Sequence, residues 1–373
     1  MSVKIFHCAD THLGYRAYNK LVPENKHDAG LNQREADIYA SWNNLVEAAL
    51  QEKPDVFIHA GDLFDRVRPS NIAISKAREG LYRLSEANIP TIVVAGNHET
   101  PRIPRTGHVF QLLTRIPNVQ VMYSGEPETV PIKNVMITGV AHSSTLAENV
   151  SSAEPDPDYE CNILITHGSI SGAGIKIFEN NELNQTTLPL HIFEKEWDYV
   201  ALGHYHDFTE VKKNMYYSGS PERLSFGDAK NSKGYAIVML PEMKVIPKQI
   251  ECREFVDLSC DFKSFQDDDL TANLIKIVEE CDPETKIVRL AITNLAIEAW
   301  NTVDRRALHK AAKKAVNFSV IPDLEEKSHI TASGSDIGSL IEEFRQFMNE
   351  TGFDNLGKEE KKRVMEKAEE VLG

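Results

Sequence analysis

The chain has 373 residues, of which 41% are hydrophobic, and its formal net charge is −15. This acidity argues against a protein that coats nucleic acid by charge alone. The sequence shows neither a charged-then-apolar leader nor a long apolar run, so we expect a cytoplasmic protein that is neither secreted nor membrane-spanning. The five cysteines include no C-x-x-C pair, so neither a disulfide framework nor a thiolate zinc site is expected.

The first 250 residues repeat one pattern, in which a short β-branched run is followed by a turn and a helical periodicity. This alternation predicts an α/β fold built from β-α units. The runs are too continuously apolar for half-exposed strands, so we expect them inside a covered sheet, with amphipathic helices over residues 38–49 and 74–84 packed on it. The six runs are residues 3–9, 56–60, 91–95, 135–138, 163–166 and 199–202.

Beyond the principal domain, residues 1–250, the periodicity changes and predicts three further segments. Residues 251–321 should form a small α+β unit, because strand and helix patterns alternate in it. Residues 322–335 are polar and aperiodic, as in a linker, and residues 336–373 carry two apolar helical periodicities with a break between them, which predicts a helix-loop-helix. The patterns of the α+β unit cover residues 254–258, 270–280, 286–292 and 303–315.

Side chains that can bind a hard or borderline metal stand at the ends of five of the apolar runs. In open α/β sheets the carboxyl ends of the strands meet at one edge, so these residues should converge into a single crevice. A lone Asp or His at a strand end is more often a turn residue than a ligand, but turns alone do not account for five such ends. The residues are Asp10 with His12, Asp62, Asn97 with His98, His167, and His204 with His206.

Three other histidines near strand ends are interpreted as structural. His142 follows a run, but nothing about it requires a metal, so we expect it to form a wall of the crevice. His7 and His59 precede the ends of their runs and should face the core or a neighbouring side chain.

Short motifs in the chain resemble a known enzyme superfamily, the calcineurin-like metallophosphoesterases. Its blocks are all present and in order, as Asp10-Thr11-His12, Gly61-Asp62, Gly96-Asn97-His98-Glu99, His167 and Gly203-His204-Tyr205-His206. A finer resemblance is to the SbcD-type nucleases, whose eukaryotic and archaeal members are the meiotic-recombination-eleven nucleases of double-strand-break repair. It rests on Cys8-Ala9-Asp10-Thr11-His12-Leu13-Gly14, Gly61-Asp62-Leu63-Phe64, Arg68-Pro69-Ser70 and Tyr217-Ser218-Gly219-Ser220 with Arg223.

The resemblance implies a two-metal DNA nuclease with 3′–5′ exonuclease and single-strand endonuclease activity, and a layered core of β-sheets flanked by helices and capped by the α+β unit. The implied metal is manganese, which agrees with a donor set of carboxylate, amide and imidazole without thiolate. His98, beside the ligands, would stabilise the phosphate or protonate the leaving oxygen. The resemblance implies two ligand sets that share Asp62 as a bridge. The first is Asp10, His12, Asp62 and His206, and the second is Asp62, Asn97, His167 and His204.

Asp65 departs from the resemblance, because the family often has a histidine after Gly-Asp-Leu-Phe. An ionised carboxylate cannot donate a proton, so we expect DNA ends to be handled differently at this position. Asp65-Arg66 also resembles the Gly-Asp-x-x-Asp-Arg block of protein phosphatases, so a protein phosphatase or a small phosphodiesterase on the same metal site is the alternative function. A scaffold without chemistry is a weaker alternative, because all seven ligand positions carry competent donors.

The candidate DNA contacts include a basic stripe on the helix pattern of residues 303–315. Such a stripe suits backbone phosphates, and an ordinary solvated helix face is an equal alternative. The candidates are Asp65, Arg68, Arg223, Arg305, Arg306 and Lys310.

The terminal helix pair carries more apolar residues than an isolated hairpin can bury, which predicts a docking module. The resemblance implies that it binds an SbcC or Rad-fifty-type ATPase, and docking back onto the chain's own domain is the alternative. It also implies a homodimer and a nucleoid-associated location. The candidate partner-binding residues are Ile337, Leu340, Phe344, Phe347 and Val364.

Overall fold

The computed structural model describes residues 2–26, 28–172, 186–265 and 269–324, together with residues 364 and 367. The chain divides into two units, Met1–Asp323 and Leu324–Gly373, and the description below concerns the first. None of the helices in the described part of the chain is both long and apolar enough to cross a membrane.

The first unit contains strands and helices whose bounds are as follows. In chain order the strands are β1 (Val3–Cys8), β2 (Val56–Ala60), β3 (Thr91–Val94), β4 (Val119–Met122), β5 (Pro127–Ile132), β6 (Val135–Val140), β7 (Cys161–His167), β8 (Ser169–Ser171), β9 (Thr187–Pro189), β10 (Tyr199–Gly203), β11 (Thr209–Lys212), β12 (Met215–Tyr217), β13 (Gly234–Leu240), β14 (Lys244–Gln249), β15 (Phe255–Asp261), β16 (Ile287–Leu295) and β17 (Asn317–Leu324). The α-helices are α1 (Gln33–Glu52), α2 (Asn71–Glu86), α3 (Leu146–Ser152), α4 (Leu270–Glu280), α5 (Ile297–Thr302) and α6 (Arg305–Ala311).

Two six-stranded sheets form the centre of the fold. Their strand orders are β14-β13-β1-β2-β3-β4 and β11-β12-β10-β7-β6-β5. In the first sheet β1 to β4 are parallel, and in the second β12, β10, β7 and β6 are parallel. The sheets are in contact through β2 with β7 and β10, so the carboxyl ends of these parallel strands lie at one edge.

Successive residues of β7 are all buried but pack in two different cores, which shows that the second sheet is covered on both faces. Ile163 and Ile165 belong to the main core that also contains β1, β2, α1 and α2, whereas Leu164 between them packs in a second core with Leu146 and Val150 of α3. Successive strand residues point to opposite faces, so the layers run helix, sheet, sheet, helix.

The α/β class and the layered core of β-sheets flanked by helices are therefore confirmed, whereas the single covered sheet expected from the apolar runs alone is wrong. The runs over residues 135–138, 163–166 and 199–202 form the second sheet. A strand that is buried on both faces reads as continuously apolar in whichever sheet it lies, so periodicity cannot assign it to one.

The α+β unit contains the three-stranded sheet β15-β16-β17 and a core of its own beneath α4 and α6. The helix expected over residues 303–315 is the shorter α6, and a separate helix, α5, precedes it. The carboxylate of Asp304 accepts hydrogen bonds from the backbone N–H groups of Arg306 and Ala307 at 3.0 Å. An N-cap of this kind starts a new helix at α6. In addition, β17 extends into the stretch predicted as a linker.

A buried ion network joins α1 to the start of the α+β unit, and its members are Arg34, Asp37, Glu222 and Arg253. Arg34 is 0% exposed; its Nη1 lies 2.6 Å from a carboxylate oxygen of Asp37, to which Arg253 Nε also donates at 2.7 Å. The backbone N–H of Arg253 donates to both oxygens of Glu222 at 3.1 Å. The ion network therefore fixes the connection between the two parts of the unit.

Candidate metal centre

The strand ends bring the proposed metal ligands to one edge of the paired sheets. Asp10 and His12 follow β1, Asp62 follows β2, Asn97 follows β3, His167 is the last residue of β7, and His204 and His206 follow β10. We call these seven residues the metal centre.

The side-chain donors of the metal centre face one another at short distances. Ligand atoms of Asp10, His12 and His206 lie within 4.8 Å of one another, and so do those of Asp10, Asp62 and His167. His12 Nε2 lies 3.3 Å from His206 Nε2, and His167 Nε2 lies 3.2 Å from an Asp62 oxygen. Asn97 Oδ1 lies 3.0 Å from His167 Nε2 and 3.2 Å from His204 Nδ1. Donors this close together suit cations placed between them.

Four residues of the metal centre have backbone conformations that are uncommon for residues other than glycine. The φ angles are 54° for Asp10, 50° for His12, 55° for Asp62 and 106° for His204. Such strain persists only where the surrounding structure determines it, and it clusters at functional sites.

Glycines let these chain segments approach closely. A Cβ added to Gly61 would lie 2.2 Å from His167 Nδ1, and one added to Gly96 would lie 2.1 Å from Asp62 Oδ1. Real Cβ atoms are not found at these distances, so neither position accepts another residue without displacing a donor of the centre.

Backbone hydrogen bonds orient the donors. The carbonyl of Ala60 can only accept, so His167 Nδ1 donates to it at 2.9 Å and leaves Nε2 directed at Asn97 and Asp62. The backbone N–H of His204 donates to both oxygens of Asp10, at 3.0 and 3.1 Å. A histidine that binds a metal typically donates its other ring nitrogen to a carbonyl or carboxylate, as His167 Nδ1 does to Ala60.

The electrostatics of the centre fit a bound cation. Complete burial would lower the pKa of His167, but the carboxylates of Asp62 and Asp10 raise that pKa to about 9. Burial raises the pKa of Asp10 to about 6, and burial lowers the pKa of His12 well below its usual value. At neutral pH a proton on His167 therefore balances the facing carboxylates, and a bound cation can take over that role. The donors of the site are carboxylates, imidazoles and an amide, without a thiolate. This donor set suits a divalent metal ion.

The sequence of the chain is similar to those of known proteins. Residues 3–227 match the family model described as "Calcineurin-like phosphoesterase". The chain is 30% identical over 274 residues to the "DNA double-strand break repair protein Mre11" of Methanococcus maripaludis, covering 68% of each chain. It is 33% identical over 280 residues to the protein of the same name from Methanocaldococcus jannaschii, covering 70% of each. The chain belongs to the Mre11 family of calcineurin-like phosphoesterases.

A solved structure shows a weaker likeness. It is TT1561 of Thermus thermophilus, with a TM-score of 0.40 and 12% identity, covering 67% of this chain and 100% of that one.

In this phosphoesterase His98 lies beside the metal centre and within reach of its donors. Its Nδ1 donates to the carbonyl of Asp65 at 3.0 Å, and its Nε2 lies 3.9 Å from Asp62 Oδ2. The side chain is 27% exposed and lines a cavity of about 630 Å³ together with Asp65, Arg66 and Arg68. His98 is therefore more open to a substrate than the buried donors Asp10, Asp62 and His167.

Asp65 lies between this cavity and the metal centre. One oxygen accepts a hydrogen bond from Arg66 at 2.9 Å, and the other lies 3.9 Å from His12 Nδ1. Burial raises the pKa of the Asp65 carboxyl. The family histidine that Asp65 replaces would therefore have stood beside the metal centre.

The other candidate DNA contacts occupy different surroundings. The guanidinium of Arg223 donates to the carbonyls of Asp228, Asn231 and Arg253 at 3.0 to 3.3 Å, which ties the end of the core to the α+β unit. Arg305, Arg306 and Lys310 are exposed on α6, and the Arg305 guanidinium lies 4.9 Å from the ring centre of Trp300.

Of the candidate partner-binding residues, only Val364 is described; it is helical and 39% exposed. Ile337, Leu340, Phe344 and Phe347 lie outside the described residues.

Sequence reasoning missed two buried groups beside the centre. Lys233 is 1% exposed, and its ammonium donates to the carbonyl of His206 at 2.8 Å and to the Asp228 carboxylate at 2.6 Å. Glu99 is 0% exposed and accepts from the backbone N–H of Gly96 at 2.8 Å. The Gly96-Asn97-His98-Glu99 block was a signal for Glu99, whereas no local pattern marks Lys233.

Proposed function

We propose that the chain is a divalent-metal-dependent nuclease that hydrolyses DNA during double-strand-break repair. The observation that carries this proposal is the convergence of seven oxygen and nitrogen donors at the ends of five strands. The names of the archaeal relatives, DNA double-strand break repair proteins, support DNA as the substrate.

We infer two metal ions per chain, and manganese as their identity. One would be held by Asp10, His12, Asp62 and His206, and the other by Asp62, Asn97, His167 and His204. Asp62 can serve both, since one of its oxygens lies between His167 Nε2 at 3.2 Å and His12 Nε2 at 3.8 Å. The chemistry supplied by two such ions is activation of water and neutralisation of charge on the phosphate oxygens.

His98 is suited to act on the phosphate. Because its Nδ1–H is engaged by the Asp65 carbonyl, the proton it can exchange with a substrate is at Nε2. A protonated Nε2 could bind a phosphate oxygen or protonate the leaving oxygen, and the neutral ring could take that proton back. Its partial exposure next to the cavity gives a phosphodiester access to that atom.

We further propose 3′–5′ exonuclease and single-strand endonuclease activity, with an SbcC or Rad-fifty-type ATPase as partner. The partner would bind residues 336–373, and the chain would act as a homodimer inside the cell at the nucleoid. These finer assignments rest on the resemblance of the motifs around Asp10, Asp62 and Ser218 to the SbcD-type nucleases.

A protein phosphatase is the second candidate, and Asp65-Arg66 is the observation that favours it. The two side chains form an ion pair at the edge of the cavity that His98 lines. A phosphomonoester bound at the metal centre could be contacted by Arg66.

The deciding experiment compares DNA with a phosphopeptide as substrates of the purified, manganese-loaded chain. We expect DNA to be cleaved faster, and His98→Gln to slow that cleavage by on the order of 10² to 10⁴, with both metals still bound. His191→Gln is the matched control, because His191 is exposed and lies outside the metal centre. Faster hydrolysis of the phosphopeptide would favour the phosphatase, and loss of metal from His98→Gln would show that His98 is a ligand.

A further inference from the structure

A second cavity adjoins the metal centre and shares Asn97, Thr100, Pro101 and Arg102 with the cavity that His98 lines. It has a volume of about 580 Å³ and is lined by Asn97, Arg102, Gln111, Tyr123, His142 and Ser143, among others. We call it the side cavity. It shares Asn97 with the metal centre, and its volume lies in the range of small-molecule sites, roughly 300 to 1,000 Å³.

The depth of the metal centre brings a bound phosphodiester close to the side cavity. Asp10 and Asp62 are each 1% exposed and His167 is 0% exposed. A phosphodiester that faces these donors brings the adjoining nucleotide to the walls of the site, and a base that leaves the stack can enter a pocket of the protein. Because the side cavity begins at Asn97, it is within one nucleotide's reach of a phosphate at the centre.

The charge of the side cavity suits a nucleic acid. None of its described lining residues is Asp or Glu, although the chain as a whole has a net charge of −15. The lining instead offers one guanidinium, from Arg102, and neutral polar groups. A nucleotide therefore meets no like charge there.

The shape of the side cavity suits an aromatic base. The half-buried ring of Tyr123 is held by His108, at a centroid distance of 4.9 Å and an angle of 35°, and by the edge of Phe110 at 6.3 Å. The backbone N–H of His142 donates to the carbonyl of Ala95 at 3.0 Å, which anchors the opposite wall to the end of β3. The cavity is thus preformed around an aromatic surface.

The polar groups suit the edge of a base. Gln111 carries an amide that both donates and accepts, and His142 and Ser143 add a ring nitrogen and a hydroxyl. Such a mixed set can bond to any of the four bases, and stacking on an aromatic ring is also tolerant of sequence.

We propose that the side cavity holds one unstacked nucleobase of the DNA strand, next to the phosphodiester at the metal centre. This rests on the proposed function and deepens it, because it makes recognition of a nucleotide a property of Tyr123 and Gln111. A base site would also distinguish this chain from a protein phosphatase, because the substrate of a protein phosphatase carries no nucleobase.

The test compares two small phosphodiesters with the same leaving group, thymidine 5′-(p-nitrophenyl phosphate) and the base-free methyl p-nitrophenyl phosphate. For the manganese-loaded chain we expect Tyr123→Ala to lower the ratio of the two kcat/KM values about 10- to 100-fold, from the strength of base stacking. Tyr123→Phe keeps the ring and should keep the ratio. Tyr82→Ala, which removes an exposed tyrosine of α2, is the control and should leave both rates unchanged. An unchanged ratio in Tyr123→Ala would overturn the proposal.

Binding measurements separate this proposal from the proposed function. By calorimetry, the metal-loaded chain should bind thymidine 5′-phosphate more tightly than inorganic phosphate, and Tyr123→Ala should remove most of that difference. A chain that cleaves no phosphodiester but keeps this preference would refute the nuclease and not the base site. A chain that cleaves DNA but binds both ligands equally would refute the base site alone.

Discussion

The metal centre and the buried ion network are both clusters of polar side chains removed from water, but they are completed in different ways. In the ion network, the guanidinium groups of Arg34 and Arg253 face the carboxylates of Asp37 and Glu222, so opposite charges meet within the protein. In the metal centre, the carboxylates of Asp10 and Asp62 face histidines and an amide, and no Lys or Arg is among the seven members.

This difference separates a structural cluster from a functional one. Buried charges are costly unless they are paired or coordinate a metal. The charges of the ion network are paired with one another, and the network holds α1 and the start of the α+β unit together. In the metal centre the carboxylates face a titratable group, His167, whose pKa they raise to about 9, so the compensating charge is a proton or a metal ion taken up from solution.

The largest effect should come from removing the shared carboxylate of the metal centre. Asp62→Asn should weaken metal binding at both positions together and lower DNA cleavage by at least about 10³, because metal-derived stabilisation is several kcal/mol. Metal content by mass spectrometry and cleavage rate should fall in parallel. Full metal content in the variant would contradict the bridging role.

Breaking the ion network should reduce stability rather than metal binding. Arg34→Met leaves Asp37 and Glu222 with less compensation, so the free energy of unfolding should fall by about 3 to 5 kcal/mol. Denaturant unfolding of the metal-free chain measures this. The control is Arg83→Met, which breaks a surface pair with Glu47 and should cost about 1 kcal/mol or less. Equal losses of stability in the two variants would show that the buried ion network contributes no more than a surface ion pair.

Lys233 combines a structural ion pair with a contact to the metal centre, since it is paired with Asp228 and also donates to the carbonyl of His206, a proposed ligand. Lys233→Met should lower metal affinity about 10- to 100-fold, as for other groups that orient a ligand. Lys195→Met is the matched control, because Lys195 donates to two carbonyls and to Glu154 far from any proposed ligand. Isothermal titration with Mn²⁺ compares them, and equal affinities would show that Lys233 serves folding only.

The smallest effect concerns core histidines that lack a carboxylate partner. Burial lowers the pKa of His7 and of His59 from the ordinary value of 6.5 to about 3. The unfolded chain therefore binds more protons between about pH 6.5 and pH 3, and the stability present above pH 6.5 is lost as the pH falls. Each residue contributes a slope approaching about 1.4 kcal/mol per pH unit in this window.

His7→Gln checks this contribution. Unfolding of the metal-free variant at pH 6 and pH 5 should show a slope that is smaller by about that amount. An unchanged slope would mean that His7 is already protonated in the folded chain. His167, whose pKa is raised to about 9 by facing carboxylates, should contribute with the opposite sign and in another window, since the stability it adds below about pH 6.5 is lost as the pH rises to about 9.

Local patterns in the sequence determined the α/β class, the six apolar runs and the donors at their ends. These features depend on residues that are neighbours along the chain, such as Gly61 and Asp62 or His204 and His206, so a single sequence displays them. Burial of His7 and His59 also followed from their places within strands, and the structure confirms it.

Tertiary structure alone decided which sheet each strand joins, how Lys233 and Arg34 are used, and where the side cavity lies. Arg223 shows the reason: its charge suggested DNA, but its guanidinium contacts carbonyls up to 30 residues away in the sequence. Lys233 likewise reaches His206 across a separation of 27 residues. Contacts of this kind depend on how distant segments pack in three dimensions, and no periodicity or short motif records them.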